Sequence, residues 1–139
     1  MSTDPHDVSE RSTLRQPAAR HAANWVVVAG AGGVLLGAFG AHALRGHLDA
    51  AALDWWHTAV EYQLWHALAL ALAVHVGRGR PAGVAQLAFA IGIVLFSGSL
   101  YAMALGAPRW FGAITPLGGV GFVVGWIALG RSLRSAAPP

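Results

Sequence analysis

The sequence predicts an all-α integral membrane protein: a four-transmembrane-helix bundle with short loops and both termini in the cytoplasm. Three observations lead there. Of 139 residues, 55 % are hydrophobic and 11 % are charged, against roughly 25 % charged in a soluble domain. Four apolar stretches, 25–44, 56–76, 83–105 and 111–130, each have the ~20 residues that a helix needs to cross a bilayer core. The nine cationic residues, all arginines, flank these stretches unevenly.

In chain order, residues 1–24 are polar, carry Asp4, Asp7, Glu10, Arg11, Arg15 and Arg20, and hold no apolar run. They are expected to form a disordered cytoplasmic tail. Three acidic residues there argue against a mitochondrial transit peptide. Residues 25–44 are uncharged and longer than the core of a secretory signal, so they are retained as the first span. The membrane domain then runs to residue 130, and 131–139 form a second cytoplasmic tail.

The connections are short, so neighbouring helices are antiparallel. The stretch RGHLDAAALDW at 45–55 is the most polar of them, and a short surface helix is expected there. Arg11, Arg15, Arg20, Arg78, Arg80, Arg131 and Arg134 fall on one side, Arg45 and Arg109 on the other. Loops rich in arginine stay inside, which places both termini in the cytoplasm. Trp25, Trp55, Trp56, Trp110 and Trp126 lie near span ends, where an indole prefers the headgroup region.

Glycines recur at close-packing intervals: Gly33 and Gly37 in the first span, and Gly118, Gly121 and Gly125 in the fourth. In lipid, small residues let backbones approach, so these positions are expected at helix contacts. Pro116 is expected to kink the fourth helix by leaving the Gly112 carbonyl without its helical donor.

Polar side chains fall at similar depth. At about 1.5 Å of rise per residue, His42, Glu61, Ser97, Ser99, Tyr101 and Thr115 all lie within about 12 Å of the outer ends of their spans, and His66 lies about 15 Å down. Hydrocarbon leaves such groups unsatisfied unless they face one another, so they are expected to form one outer-leaflet cluster with His66 beneath it. Tyr62 and Gln63, beside Glu61, complete the candidate ligand-binding set. For Glu61 a structural hydrogen-bonding role stands beside an ion or proton site.

Other chemistry finds little support. Without cysteine there is no thiolate nucleophile, disulfide or thiolate metal site. No His pair has metal-ligand spacing, and no nucleophile elbow, phosphate loop or dinucleotide fingerprint occurs. No enzyme activity, cofactor or metal is expected. The arginines form no stripe, so no nucleic-acid partner is expected either.

The strings GAFGAHAL at 37–44, TAVEYQLWHALAL at 58–70, GIVLFSGSLYAMAL at 92–105 and GAITPLGG at 112–119 resemble the small membrane family catalogued as domain of unknown function 423, which includes the eukaryotic transmembrane protein 256. The resemblance implies a bacterial inner-membrane protein of three or four helices and supplies no reaction. Two functional classes follow. One is a structural or accessory protein whose partners are the lipid bilayer and a membrane protein or a second copy. The other is a small transporter or proton-handling element built around Glu61.

Overall fold

The computed structural model describes residues 5–135, with side chains from His21 onward. The residues beyond these at either end, including the last four of the expected C-terminal tail, lie outside the described residues. Among the described residues there are four α-helices: α1 (Pro5–His42), α2 (Ala50–His75), α3 (Gly79–Ala104) and α4 (Thr115–Arg134). A 3-10 turn, Arg109–Ala113, precedes α4.

Several boundaries differ from the expected ones. Residues 5–24, expected to be disordered, continue α1 as helix. Once the apolar span has nucleated a helix, each further residue adds a hydrogen bond without a new nucleation cost. No separate surface helix forms at 45–55. Instead Asp49 caps α2, its carboxylate accepting from Ala52 N at 2.8 Å, and Ala50–Trp55 become the first turns of that helix. Pro116 does not kink a continuous helix. It sits in the first turn of α4, where its missing N–H and fixed φ cost nothing, and the 3-10 turn absorbs the expected first residues of the span. At the other end, α4 continues through Arg134.

Helix α3 ends in a Schellman motif. Gly106 has φ +97°, Ala107 N donates to Ala102 O at 2.9 Å and Gly106 N to Met103 O at 3.1 Å. Only glycine takes this conformation without strain, so Gly106 satisfies the last carbonyls of a helix that ends in apolar surroundings.

The helices pack in chain order, α1 on α2, α2 on α3 and α3 on α4, and among the described residues α1 and α4 do not touch. The expected bundle is thus an open row. In lipid no hydrophobic force closes a bundle, so contacts form where small residues permit close approach. Side chains toward one end of the row, among them Leu70, Ala85, Phe89, Phe122 and Leu129, form one core cluster. Leu44, Ala52, Trp56 and Ala104 form a second at the other end. The segments His21–His42, Gly79–Ala104 and Arg109–Arg134 are long and apolar enough to cross a membrane. Helix α2 has 26 residues but carries His57, Glu61, Gln63 and His66, and falls short in apolarity.

Candidate functional site

The α3–α4 seam is built on glycine. A Cβ at Gly118 would lie 2.7 Å from Phe96 Cβ and 2.8 Å from its Cα, and one at Gly125 would lie 2.6 Å from the Phe89 ring. Gly121 faces the backbone of Ala88 and Gly92, while Gly33 and Gly37 face Leu64 and Val60 of α2. All five positions therefore meet a neighbouring helix.

The polar side chains divide into separate groups. Gln63 is buried and bridges three helices: its Nε2 donates to Ala29 O of α1 at 2.8 Å, and its Oε1 accepts from Tyr101 Oη of α3 at 3.0 Å. Tyr101 packs edge-on against Trp56, with ring centroids 4.7 Å apart, and Trp56 Nε1 donates to Leu36 O at 2.9 Å. Trp56 is 2 % exposed. Expected at the headgroups, it fills the space over Gly40 instead. Between α3 and α4, Ser99 and Thr115 share a hydrogen bond of 2.7 Å, and Ser99 also donates to Phe96 O at 2.9 Å. Ser97 Oγ is buried without a partner among the described residues.

His66 occupies a third place. Its Nδ1 lies 2.7 Å from Tyr62 O. A carbonyl only accepts, so Nδ1 carries the hydrogen and Nε2 of the neutral ring bears the lone pair. The imidazole lies flat on Phe122, with centroids 3.5 Å apart and planes 7° from parallel. Phe89 and Trp126 flank it, and half-exposed Tyr62 stacks on Phe96 at 4.4 Å. The stack ties α2 to α4, which otherwise hardly meet.

Glu61 and His42 belong to none of these groups. Both are exposed, and the only described contact of the Glu61 carboxylate is Trp65 Nε1 at 3.5 Å, one turn along the same helix. The single outer-leaflet cluster expected around Glu61 does not form. Similar depth fixes height but not azimuth: Glu61 and Gln63 are about 160° apart on the helix, so only one of them can face the interior. Ser132 of α4 was not singled out by sequence. Fully buried, it accepts from Arg78 N at 2.7 Å and donates to Arg78 O at 2.9 Å, locking the α2–α3 connection to the end of α4. Among the described residues no three His, Asp or Glu side chains gather as a metal site would require.

The chain matches the family model described as "Protein of unknown function (DUF423)" over residues 36–119. It is 46 % identical over 99 residues to the UPF0382 membrane protein YwdK of Bacillus subtilis, covering 68 % of this chain and 80 % of that protein. A UPF0382 membrane protein of Haemophilus influenzae is 48 % identical, covering 69 % of this chain and 79 % of the relative. The UPF0382 inner membrane protein YgdD of Escherichia coli K12 is 43 % identical, covering 67 % and 73 %. No solved structure matches. The apolar helices and these relatives make the chain a multi-pass protein of the bacterial inner membrane, and it belongs to the DUF423 family of membrane proteins of unknown function.

Proposed function

We propose that the protein is a four-span accessory protein of the inner membrane, with both termini cytoplasmic, that acts by associating with another membrane-embedded helix and performs no chemistry of its own. The observation that carries this reading is the use made of the interior polar groups. Gln63, Tyr101, Trp56, Ser99 and Thr115 each make a hydrogen bond to another helix of the same chain, as interhelical polar groups do when they hold a membrane fold together. Among the described residues no carboxylate is buried in the interior. Glu61 and His66 point about 140° apart on α2, so they do not form a relay.

The arginine asymmetry supports the orientation. The wrapping of α2 by α1 and α3 supports its place as a span, because its polar inner face is paired within the protein. The reading is tested in proteoliposomes enclosing a pH-sensitive dye. The expected proton leak equals that of empty vesicles under an imposed potential, with and without Glu61→Gln. A protein-dependent flux abolished by Glu61→Gln would overturn it in favour of an ion-handling element.

A further inference from the structure

The outward face of α2 is the part of the molecule that the fold leaves unexplained. Asp54, His57, Glu61, Trp65, Leu68 and Leu72 recur at intervals of three and four residues and fall within an arc of about 80°. All six are exposed, and the arc lies opposite buried Ala59, Gln63, Ala67 and Leu70. No other helix among the described residues covers it.

A membrane-spanning helix cannot leave this face to lipid. Glu61 lies about 7 Å inside the span, and hydrocarbon offers a carboxyl group no hydrogen-bond partner. Its one hydrogen-bond partner among the described residues, the Trp65 indole at 3.5 Å, is distant for such a bond. The lower half of the face is large and apolar, with Trp65, Leu68 and Leu72 exposed to 62 %, 68 % and 42 %.

We infer that this face binds a second copy of the same chain, forming a two-fold dimer in which α2 packs on α2. The inference rests on the accessory reading above and names the partner. The face is self-complementary: it carries an acceptor, the Glu61 carboxylate, and a donor, the His57 imidazole, on adjacent turns. A two-fold axis along the membrane normal keeps both α2 helices parallel, so His57 and Glu61 of opposing copies differ in height by about 6 Å and pair diagonally. Symmetry makes that pair twice. Trp65, Leu68 and Leu72 then meet their own counterparts at equal depth. The same pairing explains how α2, which falls short of the apolarity of the other spans, resides in the bilayer.

The chain has no cysteine, so single introduced thiols report contacts without background. In native membranes, Leu68→Cys should cross-link to a dimer on oxidation, while Leu35→Cys on α1 and Val123→Cys on α4, exposed to 70 % and 59 %, should not. Equal cross-linking at all three sites, or none at Leu68→Cys, would overturn the inference. Within the Leu68→Cys background, His57→Glu sets carboxylates against each other and should lower the cross-linked fraction about tenfold, and His57→Glu/Glu61→His should restore it to within about threefold. Failure of the double exchange to recover would refute the pairing. A monomer without proton flux sinks the dimer and leaves the accessory reading standing, whereas flux sinks that reading whatever the cross-linking gives.

Discussion

Replacing Gly118 by alanine puts one methyl group into the tightest part of the α3–α4 seam. The new Cβ would stand 2.7 Å from Phe96 Cβ and 2.8 Å from Phe96 Cα. Carbon atoms settle at about 3.5–4.0 Å, so the helices must part by about 1 Å. The obstructing atoms are backbone and Cβ, which cannot rotate aside. Overpacking of this kind costs about 1–3 kcal/mol, set against a gain of up to about 1 kcal/mol from the higher helix propensity of alanine. Gly98→Ala isolates the packing contribution, because a Cβ at Gly98 meets nothing within 4 Å. The difference between the two variants cancels propensity and leaves about 1–3 kcal/mol. Unfolding in mixed micelles of mild detergent and dodecyl sulfate, followed by tryptophan fluorescence, measures it. Gly118→Ala as stable as Gly98→Ala would show that α3 and α4 do not approach as described.

Two further expectations concern the buried hydrogen bonds. Tyr101→Phe strands Gln63 Oε1, otherwise 3.0 Å from the hydroxyl, and should lower stability by about 1–2 kcal/mol. Combined with Gln63→Leu the losses should fall short of their sum, and strict additivity in the double-mutant cycle would deny the contact. Ser132→Ala leaves the Arg78 amide, 2.7 Å from the hydroxyl, without its partner and should cost about 1–3 kcal/mol. It should also speed amide exchange at Arg78, and unchanged exchange would refute the lock.

Element existence was legible in the sequence because it is local. Apolar length marked the helices, and the spacing of Gly118, Gly121 and Gly125 marked a contact face before any partner was known. Azimuth and partner identity were not local. Depth alone groups Glu61 with Ser99 and Thr115, although its position on α2 turns it away from them. Gln63 emerged as the three-helix bridge because Ala29 and Tyr101, 34 and 38 residues away in sequence, meet it only after packing. The burial of Trp56 depends on the space at Gly40, which no preference of indoles for the interface reveals. Pro116 carried two rules, helix breaker and first-turn residue, and the preceding 3-10 turn decides between them.

The central claim is that α2, despite its polar residues, crosses the membrane and sets the alternation of the other helices. Single cysteines at Gly46, Arg80 and Ser135 test it most directly, since all three positions are exposed and the chain has no cysteine. With a membrane-impermeant maleimide applied to spheroplasts, Gly46→Cys should label at once, and Arg80→Cys and Ser135→Cys only after lysis. Labelling of Gly46→Cys and Arg80→Cys from the same side would show that α2 does not cross, and would contradict the account.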